Sequence, residues 1–346
     1  MRVKFKGLLP QKNINCRGMS SLKMMNAIQI SKTGGVDVLE YTKVKIPEVK
    51  AGQVLVKNAF SGVNYIDTYF RTGLYPTPLP TLLGREGAGV VEEVGEGVAG
   101  FKKGDRVAYL ANNSTYAEFT SADSVNMASV PEGMGLDSAA AMMITGLTAL
   151  SLAKRSYQVK KGDIILIHAA AGSTGLILTQ LCKHLGATVI GTTSSEAKAK
   201  IAIDAGADHI IYYNKEDVAT RVREITNGQM VHAVFDGVGK STFQGSFDSL
   251  RRLGTLVSFG NASGKVPPIE INMLAKGNIT LLRPMLYGYI ATEDEFRQAT
   301  SELFGLIESK VLKFNICKVF GLSEAIDAHK FIESRLSTGK VLISIP

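Results

Sequence analysis

From residue 26 to about 130, apolar positions come in short β-rich runs at 26–30, 53–60, 89–94, 106–110 and 116–120. Turn signals such as Thr33-Gly34-Gly35 and Lys103-Gly104-Asp105 lie between or after them. Short Val/Ile-rich runs broken by glycine read as strands joined by tight turns, so a small, mostly antiparallel β domain is expected here. Pro131 and the alanine-rich stretch 138–153 then begin a helical connection. From Gly162 the period changes. DIILIH (163–168) is a near-continuous apolar strand of the kind buried on both faces in parallel sheets. Helix 173–185, strand 188–192, helix 197–205, strand 209–213, helix 218–226, strand 233–236, helix 243–250 and strand 254–259 follow. Strand–helix alternation with short connections predicts a doubly wound parallel sheet. Beyond about residue 287, a long helix (293–309) and a final strand (341–345) complete an α/β chain of two domains.

Composition fits this picture. A chain of 346 residues suits two domains, and 45% hydrophobic with 20% charged residues describes a soluble globular protein. No apolar run is expected to reach the roughly 20 residues that cross a membrane. Cys16, Cys182 and Cys317 lie far apart, forming neither a disulfide framework nor a zinc cluster. Such usage points to a reducing, cytoplasmic setting, with Cys182 and Cys317 as buried structural residues. The net charge of +8 is concentrated at one end: residues 1–26 carry six cations and no acid, leaving +2 for the rest. The body is near neutral and shows no RNA-binding motif with interleaved aromatics, so an RNA-binding or structural role is carried as an alternative main function, and RNA otherwise as a secondary partner. Residues 1–25 read as a disordered basic extension. A basic, acid-free terminus also resembles a mitochondrial presequence, although it is Lys-rich and contains Pro10. Met19, Met24 and Met25 are alternative starts.

Two segments look like cofactor loops. HAAAGSTGL (168–176) follows a buried strand and opens a helix, with Ala170, Gly172 and Gly175 at the small positions of G-x-G-x-x-G. Small residues let the backbone approach a pyrophosphate at a helix N-terminus, and the five strand–helix units give this turn its context. GREGAGVVEEVG (84–95) is the weaker candidate, because it precedes those units and has Glu92 at its third glycine position. A third signal, Gly239-Lys240-Ser241-Thr242, lacks the first glycine of a P-loop: position 234 is valine within a strand. It is read as a strand-end turn. Charge chooses the dinucleotide. An NAD site places a carboxylate about 20 residues after the turn, on the ribose 2′-OH. Here the second strand ends GTTSS (191–195), and Lys198 follows. Hydroxyls and a cation favour NADPH.

TGLTAL (145–150), DIILIHAAAGSTGLI (163–177), FDGVG (235–239), VSFGNASG (257–264) and GVNYIDTYFRTGLYP (62–76) together resemble the quinone oxidoreductases. These form the zinc-free, zeta-crystallin-like branch of the medium-chain dehydrogenase/reductases, and the likeness runs from about residue 27 to 346. The resemblance implies a GroES-like β domain (26–145 and 287–346) with an inserted Rossmann domain (146–286), and a homodimer paired through the Rossmann sheet edge. It implies NADPH contacts at Thr148, Gly172, Ser173, Thr174, Gly175, Leu176, Ser194, Lys198, Tyr213, Val238, Phe259, Gly260, Asn261, Arg283 and Arg335. Lys198 and Tyr213 would hold the 2′-phosphate. Two departures stand out. Ser173-Thr174 replaces a common Gly-Val, and Thr145 stands where bacterial relatives often carry a lysine.

Zinc-dependent relatives bind a catalytic metal through Cys, His and Glu. The corresponding positions here are Asn64 and Arg85, and the five histidines show no H-x-x-x-H spacing, so no metal is expected. Without a Lewis acid, suitable hydride acceptors are already electron-poor: quinones, or the α,β-unsaturated carbonyls of alkenal and enoyl reductases. Asn64, Asp67 and Tyr69 are the candidates for orientation and proton donation, with Asn64 also facing the cofactor. Asp67 has a competing reading as a helix cap.

Overall fold

The computed structural model describes residues 23–346. The basic segment 1–22, with its presequence reading, lies outside them. Strand β1 begins at Met24, so Met24 and Met25 belong to the fold rather than to an extension ending at 25: Met25 pairs with Val44 and is buried.

The N-terminal part holds β1 (Met24–Ile30), β2 (Glu40–Lys45), β3 (Gln53–Val63), α1 (Tyr65–Thr72), β4 (Thr81–Leu82), β5 (Glu86–Val94), β6 (Arg106–Leu110), β7 (Phe119–Asp123) and β8 (Met127–Ser129). β2, β1 and β4 form a small antiparallel sheet. The larger sheet centres on the 11-residue β3, which pairs antiparallel with β5 and β7. Val54 and Val56 point to the same face of β3 and pack on Val91, Val107 and Tyr109, while Leu55 and Lys57 point to the opposite face.

Helix α2 (Leu136–Ser151) continues as a π-turn at 152–156. This 21-residue helix, with mean hydropathy 1.4, is long and apolar enough to span a membrane, contrary to the sequence-based expectation. Its environment explains the composition. It packs between β5 and β6 on one side and the first helix of the parallel sheet on the other, with Ala139, Ala140, Met143, Leu147 and Ala149 fully buried. Small residues let both layers approach it closely.

The next units are β9 (Ile164–Ile167), α3 (Ser173–His184), β10 (Thr188–Thr193), α4 (Glu196–Asp204), β11 (His209–Tyr212), α5 (Val218–Ile225), β12 (Val231–Asp236), α6 (Phe243–Asp248), β13 (Leu250–Ser258) and β14 (Thr280–Leu282). The sheet is entirely parallel, in the order β11-β10-β9-β12-β13-β14. This is the 3-2-1-4-5-6 arrangement, with its switch point between β9 and β12. Ile165, Leu166 and Ile167 at its centre are wholly buried, each contributing about 1.5–3 kcal/mol by transfer from water. β14 escaped the sequence reading because an edge strand of three half-exposed residues carries no pattern.

Helices α7 (Leu286–Tyr289) and α8 (Glu293–Glu308) lead back. Strand β15 (Ile316–Gly321), α9 (Ala325–Glu333) and β16 (Lys340–Ser344) finish the chain. β15 and α9 were also unforeseen. β16 pairs antiparallel with β3, so the C-terminus completes the first domain's large sheet.

Candidate active site

A cleft of about 920 Å³ runs between the two sheets. At its centre lies the turn after β9, at the switch point. Ala169 takes a left-handed φ of 51° and Gly172 caps α3. The first intrahelical bond runs from Leu176 N to Gly172 O at 2.8 Å, leaving the N–H groups of Ser173, Thr174 and Gly175 as the free donors of the helix start. That is the donor set a pyrophosphate needs. Gly175 has a specific reason to be glycine: a Cβ there would collide with the carbonyl oxygen of Ala169.

Beyond the end of β10, Ser194, Lys198, Tyr213 and Arg335 line the same cleft. Lys198 Nζ donates to Arg335 O at 2.5 Å. Burial, then the like charge of Arg335, pulls the Lys198 pKa down. Two cations held side by side favour an anion between them. The acids at this end are engaged, Glu216 with Arg221 at 2.8 Å and Asp217 capping α5 through Thr220 N at 2.9 Å.

At the other end the first domain supplies aromatic walls. Tyr69 sits on α1, edge-on to Tyr75 at 5.2 Å between ring centroids. Asn261 N donates to Tyr69 Oη at 2.9 Å, so the phenol keeps its own proton for another partner. Burial pushes the Tyr69 pKa to about 12, which keeps that proton in place at neutral pH. Arg283 donates to Ser258 O (2.9 Å) and Gly260 O (3.0 Å), tying together the loop after β13. In the orientation that satisfies its amide, Asn261 accepts from Arg283 Nη2 at 3.0 Å.

Beneath these walls is a buried charge cluster that sequence reading missed. Glu86 is 0% and Lys340 3% exposed. Lys340 Nζ donates to Glu86 Oε1 (2.5 Å), Asn64 Oδ1 (2.6 Å) and Thr145 Oγ1 (3.3 Å). Asn64 Nδ2 donates to Glu86 Oε1 at 2.7 Å, and Ile144 N to Glu86 Oε2 at 2.5 Å. The cation missing at Thr145 is thus supplied from β16. Gly62 makes room for it, since a Cβ there would strike the Glu86 carboxylate. Only Glu86, beside the conspicuous Arg85, offered a sequence signal; Lys340 offered none.

These donors do not fit zinc. Glu86 is consumed by an ammonium and a backbone N–H, Asn64 offers only a neutral amide oxygen that already accepts from that ammonium, and Arg85 is itself a cation. Among the described residues, no group of His, Cys, Asp and Glu could hold a metal.

The structure brings most of the sequence candidates to the cleft: Asn64, Tyr69, Thr148 and the cofactor candidates other than Leu176 and Asn261 line it. Leu176 is buried inside α3, and Asn261 stands behind Tyr69. Asp67 is a correction. It does not line the cleft; its Oδ2 accepts from Asn64 N (2.8 Å) and Tyr116 Oη (2.9 Å), which caps α1. Burial raises its pKa to about 6.

The remaining signals are structural. Asp236 accepts from Val238 N, Gly239 N and Thr242 Oγ1, which makes GKST a strand-end turn. Buried His168 bridges Thr192 and Ser246. Cys182 is buried and Cys317 half-buried, burial raising both thiols.

A GroES-like sheet, a 3-2-1-4-5-6 parallel sheet and a cleft with an anion-binding turn define a two-domain, dinucleotide-dependent oxidoreductase. Residues 50–153 match the alcohol dehydrogenase GroES-like domain family and residues 173–305 the zinc-binding dehydrogenase family. A quinone oxidoreductase of Salmonella typhimurium is 43% identical over 92% of this chain and 99% of its own. The Escherichia coli quinone oxidoreductase solved with NADPH is 40% identical, with a TM-score of 0.90 over 92% of this chain and 99% of that one. A 2-haloacrylate reductase from a Burkholderia species is 39% identical over 92% and 99%. The chain belongs to the quinone oxidoreductase family.

Proposed function

We propose that the protein is an NADPH-dependent quinone reductase that works without a metal. The observation that carries this is the pairing of two cleft features. Lys198, Arg335 and Tyr213 offer a cationic seat for a 2′-phosphate, while the zinc position is filled by the Lys340–Glu86–Asn64 cluster. Bound NADPH supplies a hydride to an electron-poor acceptor. The chain's own groups do the rest. The N–H groups of Ser173, Thr174 and Gly175 hold the pyrophosphate. Asn64 Oδ1, fixed by Lys340, keeps a second lone pair for a carboxamide N–H. Tyr69 holds its proton ready for the acceptor oxygen that gains charge. Steady-state assays with a quinone and NADPH or NADH test this reading. Equal use of NADH, or a need for added zinc, would sink it.

A second reading, reduction of α,β-unsaturated carbonyls, draws on the 2-haloacrylate reductase likeness. A kcat/KM for 2-alkenals above that for quinones would favour it. The exposed edge β14 suits pairing into a homodimer, which light scattering would detect. The free thiols support a cytoplasmic location, which fractionation with an antibody to the protein would test against mitochondrial import, and RNA is a secondary partner to test by binding with and without NADPH.

A further inference from the structure

We propose that the Arg85 guanidinium anchors an anionic group on the electron acceptor, so that the cleft prefers acceptors bearing a carboxylate over neutral ones. This rests on the reductase reading above and narrows its substrate class.

Arg85 lines the cleft yet is only 6% exposed. Its partners are all neutral: Nε donates to Tyr287 Oη (3.1 Å), Nη1 to Asn113 Oδ1 (3.1 Å) and Nη2 to Asn112 Oδ1 (3.0 Å). Those bonds use three of five N–H donors and fix the plane of the fork. Among the described residues no carboxylate lies within ion-pair distance of it. Glu86 is taken by Lys340, and the Asp67 carboxyl by Asn64 N and Tyr116. The rings of Phe70 (4.8 Å) and Tyr287 (5.0 Å) face the guanidinium and shield it from water. Cation–π contacts offset part of the cost of a desolvated cation, and a bound anion would offset more.

The other cations lining the cleft have different tasks. Lys198 and Arg335 sit together beyond β10, and Arg283 is bonded to two carbonyls. Arg283 also reaches the aromatic walls, donating to Tyr75 Oη at 3.3 Å, whereas Arg85 is held between the rings of Phe70 and Tyr287, beside the space where a planar acceptor fits. A guanidinium fork matches a carboxylate in shape and charge. When an acceptor conjugated to a carboxylate takes a hydride from NADPH and a proton from Tyr69, which solvent then replaces, negative charge spreads to the carboxylate oxygens before protonation. NADPH leaves as NADP⁺, and the contact with Arg85 strengthens in the transition state.

The test compares 1,4-naphthoquinone with its 2-carboxylate. The ratio of kcat/KM for the carboxylate to that for the neutral quinone is expected to fall at least tenfold in Arg85→Met and less in Arg85→Lys. Taking each ratio against wild type cancels the intrinsic reactivity of the two quinones. Independently, calorimetric binding of 1-naphthoate with NADP⁺ present should weaken at least tenfold in Arg85→Met. NADPH binding by fluorescence reports whether each variant has folded, and Arg85→Gln replaces Arg85→Met should that variant fail. Ratio and naphthoate affinity both within twofold of wild type, in a folded variant, overturn the proposal. If wild type reduces neither quinone, the quinone-reductase reading fails instead, and naphthoate binding still judges Arg85.

Discussion

The ammonium of Lys340 lies 2.6 Å from Oδ1 of Asn64, across 276 residues of chain. It neutralises Glu86 and fixes the amide that faces the cleft, at the position where metal-dependent relatives would place a ligand. Breaking a buried pair strands a charge, at a cost of about 3–5 kcal/mol. Lys340→Met should therefore lower the unfolding free energy by that amount in denaturant titration. Lys340→Met with Glu86→Gln should recover more than half of it; a double variant as unstable as the single would show that the pair is not the cause.

Tyr69 predicts a kinetic effect. Tyr69→Phe removes a proton donor while keeping the ring contact with Tyr75. The kcat for a quinone should fall about 10²-fold, the low end for general acid catalysis, with KM for NADPH nearly unchanged. With its pKa near 12, Tyr69 should produce no break in the wild-type rate profile between pH 6 and 9.

Coenzyme choice is the third. Lys198→Ala should cut kcat/KM for NADPH by about 10-fold or more, the worth of one charge-assisted contact, and leave NADH within about twofold. Similar losses with both coenzymes would move the 2′-phosphate away from Lys198.

The fourth concerns stability against pH. His329 is buried, with Arg71 Nη1 3.0 Å from its Nδ1; burial, then the Arg71 charge, lowers its pKa from 6.5 to about 3. The unfolded chain takes up this proton first. Stability from His329 is thus present above pH 6.5 and is lost as pH falls towards 3, by up to about 1.4 kcal/mol per unit. Asp67, raised to about 6, has the opposite sign, costing stability as pH rises from about 3.8 to 6. His329→Asn should remove the acid-side loss and leave the Asp67 trend, so variant and wild-type curves converge as pH falls. Parallel curves would refute the assignment.

The local pattern was enough for the parallel sheet. DIILIH, the small-residue turn after it and the repeating strand–helix period each depend on neighbours close in sequence, and β9 to β13 fall where that period puts them. The absence of a carboxylate at the end of β10 was likewise visible as letters, as was arginine at position 85. Weak edge elements were not: β14 and β15 carry little apolar alternation, because one or both faces meet solvent. Nor was the separation of Asp67 from Tyr69. Both lie on α1, and only packing turned one inward as a cap and left the other in the cleft. Lys340 is the clearest case. A lysine before a terminal strand is ordinary in sequence, and its role exists because β16 pairs with β3 and delivers the ammonium to Glu86. Local periodicity determined the elements and the dinucleotide turn. Long-range pairing decided which charges meet, because Coulomb and hydrogen-bond partners are chosen by distance in space, not along the chain.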